Sequence, residues 1–213
     1  TSNTVAESNN TNTNTNTSTS TDVTNTKNVS ITTGGTYNLS GSYESVTINT
    51  SKDVELNLNG AEITCTSGPA INVVSADTVT VVLSGTNKVT ATTTEDLDGA
   101  IYSKADLVFS GEGSLEVKSN YDGIVSKDTL VIKNGTYIVN SDDDGIRGKD
   151  NVEISAGTFT INSGGDGIKS TNDKEGIKVY LGKSCTFKDN KFICDFIRDN
   201  NYFTNIYING EKK

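Results

Sequence analysis

The chain has 213 residues, 27 of them acidic and 18 basic, and a formal net charge of −9 at pH 7. This excess of negative charge disfavours nucleic acid as a partner of the whole surface, and no apolar run is long enough to cross a bilayer. The chain has no histidine, so any metal site must use oxygen ligands, which favours calcium over zinc.

Residues 1–28 consist mostly of Thr, Asn and Ser and have almost no apolar side chain to bury. Such a segment cannot offset the entropy that ordering would cost, which predicts a disordered linker. We expect an extracellular protein, secreted or tethered to the cell surface through this linker.

Residues 29–189 contain short runs in which apolar and polar side chains alternate, separated by Gly, Asn, Asp and Ser, as is typical of strands and turns. An isoleucine opens each successive unit, and the spacings between these isoleucines are 23, 30, 23, 22 and 22 residues. A period in this range predicts a stack of repeats. The isoleucines are Ile48, Ile71, Ile101, Ile124, Ile146 and Ile168.

Each unit is predicted to contain three strands, which in one unit cover residues 124–126, 130–132 and 137–139. Its apolar inward positions are kept in the next unit, whereas the outward residues change from Val125 and Val131 to Arg147 and Glu153. A single unit cannot bury its inner face alone, but stacked units share a core. The expected fold is all-β, a right-handed parallel β-helix with three strands per turn and about six turns, its handedness taken from precedent for parallel crossovers.

Residues 190–213 fit no further unit. Apolar side chains such as Phe192 and Ile193 predict a cap or tail that covers the open end of the stack, where bare strand edges would invite aggregation. Two of the three cysteines, Cys185 and Cys194, are either bridged or free, because the sequence does not decide their redox state. Cys65 falls on an inward position and is predicted to be buried.

An acidic column follows from the stacking, because residues one period apart lie above one another. Asp122, Asp144 and Asp166 form this column, and Asp98 precedes it one place out of register. Carboxylates so close repel by about 1 kcal/mol or more per pair, and a bound cation removes that penalty. The further acidic candidates beside the column are Asp142, Asp143, Asn172 and Asp173.

Two interpretations of this column are open. The carboxylates are calcium ligands, or Asp-Gly is a turn dipeptide in which glycine accepts positive φ and aspartate bonds the backbone of its own or of the next unit.

A column of outward side chains runs beside the acidic one. Repeated cations on a flat sheet suit a linear anionic polysaccharide, and an arginine can bind a carboxylate through two parallel hydrogen bonds. An exposed tyrosine can stack on a sugar ring. The candidate sugar-binding residues are therefore Tyr102, Arg147, Lys169, Lys127 and Lys149. The alternative is that the Lys-Asp pairs are solvated turn partners that contribute little.

No nucleophile elbow, phosphate loop or Ser/His/Asp set is present, so we expect the protein not to be an enzyme. The alternative is a calcium-dependent, pectate-lyase-like polysaccharide lyase, in which Arg147 or Lys169 would remove the proton next to a uronate carboxylate. A structural adhesin module of the cell surface, without sugar specificity, is the third possibility.

The repeats Asp122-Gly-Ile-Val-Ser-Lys-Asp, Asp144-Gly-Ile-Arg-Gly-Lys-Asp and Asp166-Gly-Ile-Lys-Ser, preceded by Ala100-Ile-Tyr-Ser-Lys, resemble a carbohydrate-binding family first catalogued as a domain of unknown function. The resemblance implies a fold similar to that of pectate lyases, bound calcium, and binding rather than cleavage of cellulose and polygalacturonic acid. By motif, it implies that Asp122, Asp144 and Asp166 are calcium ligands. We therefore expect a monomeric, non-catalytic, calcium-stabilised module for plant cell-wall polysaccharides.

Overall fold

The computed structural model describes residues 20–24, 26–171, 177–181, 205–208 and 211–212, and strands dominate this part of the chain. Among these residues there is no helix of the length and apolarity that crossing a bilayer requires. The strands are β1 (Ser20–Val23), β2 (Asn28–Ile31), β3 (Gly35–Tyr43), β4 (Ser45–Asn49), β5 (Val54–Cys65), β6 (Ile71–Ser75), β7 (Thr78–Ser84), β8 (Thr86–Ala91), β9 (Gly99–Ser103), β10 (Asp106–Gly111), β11 (Ser114–Ser119), β12 (Asp122–Ser126), β13 (Thr129–Ile132), β14 (Thr136–Ser141), β15 (Ile146–Gly148), β16 (Asn151–Ile154), β17 (Thr158–Ser163), β18 (Ile168–Ser170), β19 (Ile177–Leu181), β20 (Asn205–Ile208) and β21 (Glu211–Lys212).

The described strands form two sheets. The smaller sheet has seven strands in the order β18-β15-β12-β9-β6-β4-β2, one from each unit. The larger sheet has 14 strands, because β5 pairs with β7 along its first half and with β8 along its second half. The neighbours in both sheets are parallel, apart from the antiparallel β20–β21 pair.

The pairing of the strands corrects the predicted fold class. The all-β class and the parallel stacking at the predicted period are confirmed, since Ile146 pairs with Ile124 on one side and with Ile168 on the other. The right-handed parallel β-helix with three strands per turn is wrong, because the strands lie in two sheets and the larger sheet curls continuously through β3 and β5.

Two glycines explain why β3 and β5 continue through the bend of the larger sheet and do not end there. Gly41 in β3 and Gly60 in β5 have φ of 86° and 70°, and the β3–β5 register shifts between Leu39 and Gly41. A bulge of this kind bends a strand without ending it. The sequence shows the same break in alternation for a bulge as for a gap between two strands, so it could not predict the single curled sheet.

The core is built from the repeated aliphatic positions. The isoleucine file, defined as the six isoleucines that open the units, is buried throughout. Burying one such side chain contributes about 1.5–3 kcal/mol. Tyr137 stacks on Phe159 with ring centroids 5.1 Å apart and meets the edge of Phe109 at 5.9 Å, and its hydroxyl donates to the carbonyl of Asn134 at 2.8 Å. The core therefore continues from unit to unit with its buried hydroxyl satisfied.

The glycines of two Asp-Gly-Ile repeats, Gly123 and Gly145, occupy positions where a larger residue has no space. A Cβ at Gly145 would lie 2.5 Å from the carbonyl oxygen of Gly167 and 2.5 Å from Cγ2 of Ile161. A Cβ at Gly123 would lie 2.5 Å from the carbonyl oxygen of Gly145 and 2.5 Å from Cγ1 of Val139. Neither glycine has positive φ. The turn interpretation, which explained glycine by its tolerance of positive φ, is therefore wrong on that point. Glycine is needed because its lack of a Cβ lets the units stack closely.

The predicted domain limits, 1–28, 29–189 and 190–213, are only partly within the described residues. Residues 1–19 of the predicted linker and most of the predicted cap, including Cys194, lie outside them, as does Cys185. β1 falls inside the predicted linker and pairs in parallel with β3. The limits stay a prediction. Cys65 is partly buried and packs against the core.

We predict that Gly145→Ala lowers the free energy of unfolding by about 1–3 kcal/mol, because its Cβ has no space. Gly145→Asn should be at least as damaging. At Gly60, which has positive φ and nothing within 4 Å of the added Cβ, Asn should be tolerated better than Ala, because Asn accepts the left-handed region. Chemical denaturation followed by circular dichroism measures all four variants. A milder effect of Asn than of Ala at position 145 would show that conformation, and not space, selects glycine there.

Candidate functional site

Four aspartates stand one above another at the amino-terminal ends of β9, β12, β15 and β18 of the smaller sheet, and we call them the acidic file. They are Asp98, Asp122, Asp144 and Asp166. Asp122 Oδ1 accepts the backbone N–H of Asp144 at 2.9 Å, and Asp144 Oδ1 accepts that of Asp166 at 2.8 Å. Each of these carboxylates thus binds the backbone of the next unit, as the turn interpretation had left open. The structure brings together the predicted column of Asp122, Asp144 and Asp166.

Asp98 belongs to the file although sequence reasoning did not place it among the candidate ligands. The backbone N–H of Asp122 donates to the carbonyl of Asp98 at 2.7 Å, so the two residues are neighbours in adjacent units. The signal was the Asp98-Gly99 dipeptide, which precedes Ile101 with one extra residue. That extra residue shifted it out of the alignment.

Three cations neutralise part of the acidic file. Arg147 donates from Nε to Asp122 Oδ2 at 2.6 Å and pairs through its terminal nitrogen with Asp98. Lys169 Nζ lies 3.2 Å from both Asp144 and Asp166. The sequence assigned Arg147 and Lys169 to sugar binding, but the structure places them in ion pairs with the aspartates.

Lys127 completes this set of cations. Its Nζ lies 3.3 Å from Asp98 and 5.3 Å from the centroid of the Tyr102 ring. Tyr102 is only 4 % exposed, so a sugar could stack on its ring only after neighbouring side chains moved. The assignment of Tyr102 to sugar binding stays a prediction.

The acidic file is largely withdrawn from solvent. Asp122 and Asp144 are 2 % and 5 % exposed. Burial raises the pKa of Asp122 to about 6, although the charge of Arg147 acts in the opposite direction. Burial alone would lower the pKa values of Arg147 and Lys169, but their aspartate partners outweigh it and raise both. Both side chains therefore keep their positive charge at neutral pH.

A cluster of three carboxylates forms the part of this site that could hold a metal ion. One oxygen from each of Asp122, Asp143 and Asp144 lies within 4.8 Å of the others. A Cβ at Gly165 would lie 2.6 Å from Asp143 Oδ1 and from Asp144 Oδ1, so glycine keeps open the space beside these two oxygens. We call Asp122, Asp143 and Asp144 the carboxylate cluster.

The remaining predicted site residues lie apart from this cluster or cannot be placed. Asp142 is exposed and is not a member of the carboxylate cluster. Lys149 is exposed, and its backbone N–H donates to the carbonyl of Ser126 at 2.9 Å. Asn172 and Asp173 lie outside the described residues.

Comparison with known proteins gives two matches. A family model described as "Carbohydrate-binding domain-containing protein" matches residues 25–183. The solved structure of the polysaccharide lyase-like protein from C. thermocellum, a gadolinium derivative, is similar to the chain with a TM-score of 0.64 and 30% sequence identity over 72% of each chain. No curated protein matches the sequence.

We predict that Arg147→Gln destabilises the metal-free protein by about 3–5 kcal/mol at about pH 8, because Asp122 loses its cation while it stays buried. The folded-state pKa of Asp122 already lies above its ordinary value, and the substitution raises it further. As the pH falls, the folded variant takes up this proton at a higher pH than the folded wild type does, so the destabilisation relative to wild type shrinks between the raised pKa of the variant and about pH 6 and then levels off.

Urea denaturation in chelator, over a series of pH values, measures this effect. Lys118→Gln is the matched control, because Lys118 is an exposed cation on β11, and it should change stability little at any pH. A loss in Arg147→Gln that does not depend on pH would contradict the assigned role of Asp122.

Proposed function

The chain belongs to the family of carbohydrate-binding domain-containing proteins, and from that membership we propose that it is an extracellular, non-catalytic module for plant cell-wall polysaccharides. The proposed ligands are cellulose and acidic pectin such as polygalacturonate, and calcium is the proposed stabilising ion. The observation that carries the proposal is the family match over residues 25–183. It is supported by a similar structure described as polysaccharide lyase-like.

Calcium fits the residues of the carboxylate cluster. Its ligands are oxygens, as calcium requires. Among the described side chains here, the acidic file and Asp143 supply five carboxylates, whereas Lys127, Arg147 and Lys169 supply three cations. The excess of two negative charges equals the charge of one divalent ion. Asp122, Asp143 and Asp144 would hold the ion, which would supply positive charge toward a uronate carboxylate.

The cations of the site support binding rather than cleavage. A lyase needs an unprotonated base beside the uronate, and the raised pKa values of Arg147 and Lys169 keep both protonated. Their ion pairs also hold them against the aspartates. Acidic sugars at this corner would contact the cations that retain exposed surface, the partly exposed Lys127 and Lys169.

The second candidate function is a polysaccharide lyase, which the description of the similar structure favours. The two functions differ in one measurable product, because a lyase leaves an unsaturated sugar that absorbs in the ultraviolet.

We predict that calcium raises the melting temperature of the wild-type protein and that Asp143→Asn removes most of that rise. Calcium at about 100 times its dissociation constant would stabilise the fold by about 2.7 kcal/mol. Asp143 is exposed and its carboxylate is in none of the ion pairs described above, so Asn should not lower the melting temperature in chelator. Thermal unfolding with calcium and with chelator measures both effects.

Asp142→Asn is the matched control for this experiment. It removes the same charge one residue away but lies outside the carboxylate cluster. It should keep the calcium response. An equal loss of response in both variants would mean that net charge, and not ligation, explains the stabilisation.

We predict that insoluble cellulose or pectin depletes the wild-type protein from solution, and that polygalacturonate with calcium yields no rise in ultraviolet absorbance. The first result follows from sugar binding and the second from the protonated state of Arg147 and Lys169. Depletion by neither polymer would argue against the proposed ligands. A steady rise in absorbance would instead establish the lyase.

A further inference from the structure

A groove lies on the larger sheet, far along the chain from the acidic file. It has a volume of about 710 Å³ and crosses β1, β3, β5 and β7. We call it the amino-terminal groove. Because neighbouring strands are about 4.8 Å apart, it extends over about 14 Å across the strands. This is room for a few units of a linear sugar chain.

The floor of the groove is a ladder of polar side chains in strict register. Asp22 pairs with Asn38 across β1 and β3, and Asn38 with Asn57 across β3 and β5. Asn57 Nδ2 donates to Asn38 Oδ1 at 2.8 Å, and Asn38 Nδ2 donates to Asp22 Oδ1 at 2.7 Å. Each amide nitrogen carries two N–H groups, and each oxygen has two lone pairs. The ladder therefore fixes the side chains and still leaves them capacity for hydrogen bonds to a ligand.

The edge of the groove is held in place by a buried hydroxyl. Tyr43 donates from its hydroxyl to the carbonyl of Val23 at 2.8 Å, and Tyr43 is 6 % exposed. This bond ties the end of β1 to β3. Groups held in place before binding lose less freedom on binding, which favours affinity.

The charge of the groove selects the kind of sugar. Its lining contains two carboxylates, Asp22 and Glu55, together with amides, hydroxyls and aliphatic side chains, and it contains no Lys or Arg. A uronate would be repelled there. A neutral sugar offers hydroxyl groups that donate to the carboxylates and accept from the amides.

We propose that the amino-terminal groove binds an uncharged, hydroxyl-rich sugar chain, independently of the carboxylate cluster. The inference rests on the proposed function for its ligand class, which is carbohydrate, and goes beyond it by assigning a second site with its own selectivity. The groove lies on the larger sheet, and the carboxylate cluster lies beside strands of the smaller one. The module thus has one site for neutral sugars and a separate one for acidic sugars.

The test is calorimetric titration of the full chain with a soluble β-1,4-linked glucose oligosaccharide. Wild type should bind it equally in calcium and in chelator. Asn38→Ala with Asn57→Ala removes the ladder and should weaken binding by roughly tenfold or more, the effect of losing one or two hydrogen bonds. The matched control is Asn140→Ala with Asn162→Ala, an asparagine pair in register on β14 and β17 of the same sheet but outside the groove, which should bind as wild type does.

A second variant distinguishes loss of the binding site from loss of the fold. Ser84 is exposed at the groove, so Ser84→Tyr fills the space and leaves the ladder intact. It should abolish binding of the neutral oligosaccharide and keep the circular dichroism spectrum of wild type. Binding of a polygalacturonate oligomer should be the same in Ser84→Tyr and in wild type.

The outcomes separate this inference from the proposed function. If wild type does not bind the neutral oligosaccharide, or if Ser84→Tyr binds it unchanged, the assignment of a neutral-sugar site to the groove is overturned. Retention of wild type and both groove variants alike on insoluble cellulose keeps the proposed function and overturns the groove as its neutral-sugar site. Oligosaccharide binding that the groove variants lose, without retention on any polymer, supports the groove and overturns the proposed function.

Discussion

The structure depends on parallel pairing of successive units in register, with each unit one strand spacing from the next. Because of this pairing, a side chain that recurs in every unit lies beside the equivalent side chain of the unit before it and of the unit after it. The isoleucine file becomes a continuous core, and the Asp122 and Asp144 carboxylates reach the backbone N–H of the following unit. The same stacking leaves no space for a Cβ at Gly123 or Gly145. Core, acidic file and glycines therefore share one geometric cause.

Stacked aspartates repel one another. Cationic side chains at neighbouring positions of the smaller sheet reduce this repulsion by forming ion pairs with them. Arg147 spans Asp98 and Asp122, and Lys169 spans Asp144 and Asp166. Each cation thus bridges two units. Asp143 is in none of these ion pairs, and one of its carboxylate oxygens lies within 4.8 Å of oxygens of Asp122 and Asp144, so the carboxylate cluster could hold a metal ion.

The sequence predicted those features that depend on period alone and missed those that depend on local backbone shape. The isoleucine positions and the column of Asp122, Asp144 and Asp166 follow from spacing, and the structure places them as expected. The single curled sheet depends on the register shift between β3 and β5 and on the positive φ of Gly41 and Gly60, which spacing does not show. Tyr102 lies on the predicted outward face, but long neighbouring side chains such as Lys127 cover it. The amino-terminal groove needs β1, which lies in a segment whose composition indicates disorder.

The strand β5 has a consequence for how the molecule comes apart. In a stack of repeats, each unit is held mainly by its nearest neighbours, and melting spreads from whichever end is held least. β5 is bonded to β7 and β8 at once, so the amino-terminal end cannot fray one side at a time. Unfolding is therefore expected to begin at the carboxyl-terminal units and to proceed toward β5. The pairing of β5 with two strands should slow it there.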